Sequence, residues 1–297
     1  MRRRTFLTYA ATILASFVSI GIAASGVVAA PYKALIVTGQ NAHDWKGTTP
    51  VLVKLLEETG LFTVEVAQSP AKGEDMSGFK PDFQKFDVVV LNYQGDPWPE
   101  QTKKAFVDYV KNGGGVVVYH FACAAFPDWP EYNEIIGLGG WGGRNEKWGP
   151  YVRWRDGRCV FDYSPGRGGG HGPMQPFAID VRYPEHPIMQ GLPPRFMHVP
   201  DELYGWLRGP AKNLTVLATA FAPKDKGGSD EHEPIFFTVQ YGKGRVFFNA
   251  LGHTAEQLKS VAFIVTYQRG AEWAASGKVT QPVPADFPTA DQARTRD

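Results

Sequence analysis

Apolar positions fall along the chain in short runs set apart by amphipathic stretches. Residues 33–38 (KALIVT), 87–92 (DVVVLN) and 116–120 (VVVYH) are nearly continuous apolar runs, and 62–67 (FTVEVA) alternates. Runs of this length predict strands, and the continuous, β-branched ones predict strands buried on both faces. Two helix patterns lie between them. Thr49 as N-cap, Pro50 at the first helical position and Gly60 as the stop frame one helix. The other runs from Pro99 to Asn112, with Phe106, Tyr109 and Val110 on one face and Gly113 as its end. Further strands are expected over 177–181, 216–220 and 235–241. The tight turn Gly242-Lys243-Gly244 should pair 245–251 back on the strand before it. A last helix is expected over 255–269. Strands alternating with helices predict an α/β domain with right-handed crossovers and a largely parallel sheet, covered by helices on both faces.

The pattern breaks in three places. Arg2, Arg3 and Arg4 open the chain, and Thr5 to Ala30 carries no charge and ends in small residues. This reads as an export signal over 1–29, cut after Ala29, and Arg3-Arg4-Thr5-Phe6-Leu7 fits a twin-arginine signal. A periplasmic or secreted location follows. The uncharged run also exceeds the ~20 residues that span a bilayer, so an uncleaved membrane anchor is the alternative. From about 126 to 172 regularity fades into a stretch holding Trp129, Trp141, Trp148, Trp154 and the run GRGGGHG. This is expected to be a long Gly/Trp-rich insertion over the sheet, too aromatic to favour disorder. Residues 277–297 are Pro-rich and polar, and a loose tail is expected there. A single domain over 33–268 remains.

Composition narrows the function classes. At 43% hydrophobic and 21% charged residues the chain is ordinary for a globular protein. Net charge is +1, and the three N-terminal arginines account for +3, so the remainder is 1 − 3 = −2. That leaves no electrostatic footprint for a nucleic-acid partner. The two cysteines, Cys123 and Cys159, fit no zinc spacing and can pair in an oxidising compartment if they are close.

Ligands of open α/β sheets bind outside the carboxyl ends of the strands. Gly39, Asn41, His43 and Trp45 follow the first predicted strand, and Asn92 ends the third. His120 and Phe121 end the fourth, and His253 follows the last. Three of the seven histidines thus fall on one rim. Converging imidazoles can act as general acid and base, or hold a divalent metal such as zinc, although no HExxH-type spacing marks a metal site. Asp201-Glu202-Leu203-Tyr204 offers either a buried carboxylate pair or an acidic helix N-terminus, and the two readings weigh about evenly. Glu233 is a further candidate. Trp45, Phe121, Trp129 and Trp141 supply flat rings on which a sugar can stack, while carboxylates and Asn take its hydroxyls. His186 reads as a turn residue, and His171 and His198 as structural. GRGGGHG lacks the Gly-Lys-Ser/Thr of a phosphate loop, and GLGGWGG lacks the strand and acidic partner of a dinucleotide fingerprint.

The ordered strings GQNAHDW, GGGVVVYHFACAAFPDWPEYNEIIG, HPI, DELY and EPIFFTVQYGKGRVFFNALGH resemble the ThuA-like (trehalose utilisation) family over about 33–267. The resemblance implies a flavodoxin-like sheet of the class I glutamine-amidotransferase-like type. That superfamily carries a cysteine nucleophile in a Gly-x-Cys-x-Gly turn. Here the turn reads Tyr-His-Phe, so the likeness puts His120 in the nucleophile's place. Cys123 comes three residues later without flanking glycines. Gly-His-Thr-Ala-Glu loosely matches the superfamily's His-Pro-Glu string, through His253 and Glu256. Glutamine amidotransferase chemistry is therefore not expected. ThuA-like proteins are associated with trehalose and related disaccharides, alongside dehydrogenases that form 3-keto sugars, which implies a sugar or keto-sugar ligand. On this reading His43, His120 and His253 carry proton transfer or a metal, and Glu202 assists. Gly39, Asn41, Trp45, Phe121, Trp129, Asp201, Tyr204 and Glu233 form the binding shell. A carbohydrate-binding protein without catalysis, or an anchored partner protein, would use the same fold.

Overall fold

The first half of the chain builds alternating strands and helices, as its apolar pattern requires. In the computed structural model, which describes residues 31–297 together with Met1, these are β1 (Tyr32–Thr38), α1 (Trp45–Glu57), β2 (Phe62–Gln68), β3 (Val88–Leu91), α2 (Glu100–Lys111) and β4 (Gly115–Tyr119). The expected export signal and its twin-arginine string lie outside the described residues. Next come α3 (Pro130–Ile136), the hairpin β5 (Tyr151–Arg155) and β6 (Arg158–Asp162), then β7 (Gln175–Val181) and β8 (Arg195–Asp201). The chain closes with β9 (Leu214–Ala222), β10 (Glu231–Tyr241), β11 (Gly244–Asn249) and α4 (Val261–Ser276).

Nine strands form one sheet in the order β2-β1-β3-β4-β11-β10-β9-β7-β8. The first five are parallel, in the flavodoxin-like order with β11 as the fifth strand. Every residue of β3 and β4 is buried, which requires cover on both faces. That cover comes from α1 packed with α4 and from α2 packed with α3. The last four strands continue the sheet antiparallel. α4 packs against β3, β4 and β11 and also against β8, so this extension wraps round until the end of β8 reaches the end of β11.

Several local expectations change. α1 begins at Trp45 rather than Pro50, because the Asp44 carboxylate caps it by accepting the Gly47 N–H at 2.9 Å. Pro50 then sits inside the second turn. α4 begins six residues later than expected, since 255–260 form a loop and a short 3-10 turn. β8 gave no strand signal because Pro200 interrupts it. β8 is an edge strand and its pairing with β7 is irregular between His198 and Asp201, a place where a proline is tolerated, and the strand survives. The 126–172 stretch, expected as one irregular insertion, carries α3 and the β5–β6 hairpin, with β5 packed on β10. The tail is irregular but tied down, not loose: Phe287 packs on Phe196, the Met197 N–H donates to Thr289 O, and the Val261 N–H to Arg294 O. Cys123 and Cys159 are both free thiols. No helix among the described residues is long and apolar enough to cross a membrane.

Candidate active site

Three loops at the carboxyl ends of the parallel strands each deliver one imidazole. After β1 the chain turns at Gly39, whose φ is 118° and where a Cβ would lie 2.6 Å from the Ser69 backbone nitrogen, so only glycine fits. Asn41 Oδ1 then accepts the His43 N–H at 3.0 Å, and Asn41 Nδ2 donates to Asn92 Oδ1 at 3.3 Å. Asn92 in turn donates to Thr48 and Thr49 of α1, each at 3.1 Å. The loop that carries His43 is thereby tied to β3 and to the start of α1.

β4 runs directly into His120, whose φ of 43° is left-handed. A non-glycine residue held there at the tip of a strand is the strained elbow geometry of nucleophile turns. Its Nδ1–H donates to Ala250 O at 2.6 Å, which leaves Nε2 as the acceptor for the Tyr204 hydroxyl at 2.7 Å.

His253 follows β11 through Gly252, at φ 104°. Both residues are pinned by Asp201 at the end of β8. Asp201 Oδ2 accepts the Gly252 N–H at 2.7 Å and His198 Nε2–H at 2.9 Å, while Oδ1 accepts the N–H groups of Glu202 at 2.8 Å and His253 at 3.3 Å. Burial would raise this carboxyl. The His198 hydrogen bond and charge, His120 and the Gly252 N–H outweigh burial and hold it below the usual carboxylate range.

With the backbones of Glu202 and His253 fixed by one carboxylate, the Glu202 side chain lands among the imidazoles. Its Oε2 lies 3.1 Å from His253 Nδ1 and 3.6 Å from both His43 Nε2 and His120 Nε2. Oε1 lies 3.4 Å from His171 Nε2. The donor atoms of His43, His120, Glu202 and His253 all fall within 4.8 Å of one another. Glu202 Oε2, His253 Nδ1 and His43 Nδ1 are buried and make no hydrogen bond. Burial pushes the Glu202 carboxyl up, but the imidazoles of His120, His43 and His171 overcome it and hold the group well below its ordinary range. Burial lowers His253 below its ordinary value, and Tyr204 is pushed well above its own, also by burial.

The structure brings together His43, His120, His253, Glu202, Tyr204 and Phe121, whose ring meets His43 edge-on at 4.3 Å. Gly39 and Asn41 shape the His43 loop, and Asn41 faces Asn92. Trp45 begins α1 and lines, with Gly39 and Asn41, a neighbouring cavity of about 430 Å³. Two assignments are corrected. Asp201 is fully buried and its oxygens are taken up by protein groups, so it positions Glu202 and His253 and has no surface for substrate. Glu233 is buried in an ion pair with Arg153 and accepts the Trp206 N–H, so its carboxylate is committed to protein groups. Trp129 packs on Trp98, Phe126 and Tyr132 and still lines, with Phe121 and Trp141, a cavity of about 300 Å³ beside the cluster. No helix follows β8, which removes the helix-terminus reading of Asp201-Glu202. His198 is structural, as expected. His171 is not: it faces Glu202, delivered by the bridge between Gly170 and Gly205. Its place in a glycine-rich run is the one signal the chain offered. Cys123 is fully buried, and that burial pushes its thiol up to about 12, so no thiolate stands at the superfamily's nucleophile turn.

The family model described as ThuA, trehalose utilisation, matches residues 33–274. A ThuA-like protein from Parabacteroides merdae has a similar structure, with 48% identity and a TM-score of 0.88 over 90% of this chain and 98% of that one. A second, from Bacteroides uniformis, is 20% identical with a TM-score of 0.58 over 86% of this chain and 96% of that one. A β-galactosidase from Rahnella sp. R3 shares the fold alone: 14% identity and a TM-score of 0.50 over 86% of this chain and 33% of that one. No curated protein sequence matches the chain.

Proposed function

This chain belongs to the ThuA, or trehalose utilisation, family, and on that premise we propose that it is an enzyme acting on a glycoside, in particular its 3-keto form, at the imidazole–carboxylate cluster. The observation that carries the reading is the convergence of His43, His120, His253 and Glu202 from four separate loops on one partly open point. The family's sugar connection supplies the substrate class.

A ketone at C3 acidifies the neighbouring C2–H. An imidazole removes that proton, the electrons form the C1–C2 double bond, and the C1–O glycosidic bond breaks with its electrons on the leaving oxygen. A proton donor then gives that oxygen its hydrogen, releasing an alcohol and an unsaturated ketone. His253, lowered by burial, is uncharged at neutral pH and suits the base. His171, the fourth imidazole beside Glu202, and the Tyr204 hydroxyl, which burial keeps protonated, are the donors at hand. The uncharged run before Pro31, which ends in small residues, supports an activity outside the cytoplasm, and an N-terminus at Ala30 on the mature protein would accord with that.

The test is release of the alcohol from 3-keto and unmodified glycosides. His120→Ala and His253→Asn are expected to lower turnover by about 10²–10⁴-fold, the usual share of acid–base catalysis, with an unchanged circular dichroism spectrum. No turnover of any glycoside, or turnover untouched in both variants, rejects the reading. Sugar binding without turnover would leave a carbohydrate-binding protein.

A further inference from the structure

We propose that His43, His120, His253 and Glu202 form a divalent-cation centre of three imidazole nitrogens and one carboxylate oxygen, best suited to zinc. The inference rests on this cluster being the functional centre of the preceding section, but not on the substrate being a sugar.

Spacing is the first ground. Zinc bonds of ~2.0–2.1 Å in a tetrahedron put ligand atoms about 3.3 Å apart. From Glu202 Oε2 the three nitrogens lie at 3.1, 3.6 and 3.6 Å. The second ground is the unpaired atoms. Buried polar atoms are nearly always paired, yet Glu202 Oε2 and His253 Nδ1 point at the same spot without a hydrogen bond. A cation there satisfies both at once. Third, the His120 ring is set as a ligand ring usually is. Its Nδ1–H donates to the Ala250 carbonyl, which fixes the tautomer with the Nε2 lone pair facing the centre. Asp201 supplies outer support by holding the backbones of both Glu202 and His253.

Donor chemistry narrows the ion. Three imidazoles and a carboxylate suit zinc and its first-row neighbours, whereas magnesium and calcium want oxygen. The four ligands come from four separated segments, so no short sequence motif could announce the site. With a cation bound, His253 is a ligand and no longer the base of the metal-free scheme, and His171, which faces Glu202 Oε1 outside the set, is the imidazole left for proton transfer. One contact opposes the ion: the Tyr204 hydroxyl already occupies His120 Nε2 at 2.7 Å. It competes for that lone pair and has to turn away when a cation binds.

The experiment is titration of chelator-treated full-length protein with Zn²⁺, followed by calorimetry and by competition with a chromophoric chelator, beside elemental analysis of protein as purified. One equivalent of zinc is expected, with no saturable Mg²⁺ binding at the same concentrations. Glu202→Gln and His253→Asn, which keep the side-chain shape or lie near the surface, should weaken zinc by more than about 100-fold, beyond the 10–100-fold that outer partners cost. Tyr204→Phe should bind zinc at least as tightly as the parent. A folded parent that takes up no zinc overturns the proposal, as does equal affinity in Glu202→Gln and His253→Asn. Zinc bound without glycoside turnover leaves this centre standing and removes the sugar reading. Turnover by a protein that takes up no zinc does the reverse.

Discussion

Arg144, in the glycine- and tryptophan-rich segment, is 2% exposed, and all five of its N–H groups have acceptors. They reach Asn133 Oδ1 and the carbonyls of Ala124, Ala125 and Gly140. Across the strand tips Glu202 is buried and His253 half-buried, yet their Oε2 and Nδ1 atoms, both shut off from solvent, make no hydrogen bond at all. The Arg144 side chain has every polar group closed within the protein, as stability favours. The cluster leaves buried lone pairs from two segments facing a shared point, which costs stability and fits a place where something else binds or reacts. The same contrast separates the neighbours Asp201 and Glu202: the first is consumed by holding loops, the second is held out by it.

The largest expected effect tests that contrast directly. Arg144→Met leaves Asn133 Oδ1 and three buried carbonyls without their donor. At ~1–3 kcal/mol for each group left unsatisfied, and allowing for relaxation, about 3–5 kcal/mol of folding free energy should be lost in urea denaturation. His253→Asn gives up no hydrogen bond from its ring and should stay within about 1 kcal/mol of the parent. Equal losses in the two variants would erase the distinction between a closed region and an open one.

A second comparison sets one buried histidine against the cluster. His186 packs on Trp273 at 4.9 Å and faces no carboxylate, and its Nδ1 accepts the Ile188 N–H at 3.3 Å. Burial alone lowers it from 6.5 to about 4. Between those values the unfolded chain binds the proton and the folded chain does not, so stability is complete above pH 6.5 and falls as the pH drops towards 4. Between pH 7.5 and pH 5 the loss from this ring should be about 2 kcal/mol, from 1.36 kcal/mol per pKa unit. His186→Asn keeps an acceptor for Ile188 and removes the titration. Its stability should fall less over that interval. A variant whose pH dependence matches the parent's would show that the ring does not stay neutral.

The parallel half of the molecule was readable because its strands are unbroken apolar runs, and a strand's end fixes which residue lies on the rim. His43, His120 and His253 followed from that rule alone. The antiparallel half was not readable in the same way. Pro200 hides β8, so Asp201-Glu202 could be seen as acidic residues but not as the tip of an edge strand wrapped back to β11. Glu233 and Arg153 are 80 residues apart in the chain, and nothing local tells a carboxylate with a buried partner from one with an open site. Trp129 was legible only in part: an aromatic residue near the rim looks the same in sequence whether its ring is free or, as here, packed on three other rings at the wall of a cavity. His171 reached the site through a bridge between two glycines, a pairing that carries no side-chain pattern.

The smallest effect concerns the two thiols, which sort the closed region from the surface by rate. Cys123 is fully buried beneath the Arg144 knot, its carbonyl accepting the Gly140 N–H at 3.3 Å, and its thiol stands at about 12. At pH 8 roughly one molecule in 10⁴ would carry the thiolate even if reagent could reach it. Cys159, on the β5–β6 hairpin, is only half-buried, and burial raises its thiol as well. Native protein at pH 8 should therefore consume at most one equivalent of a disulfide reagent, slowly, and two once unfolded. Cys159→Ser should leave native protein unlabelled. Rapid labelling of Cys123 in that variant would mean that the turn after His120 opens on the time scale of the assay, and the strained elbow would then be a mobile one. Silence at Cys123 fits a turn whose rigidity is what holds His120 at φ 43° in front of Glu202.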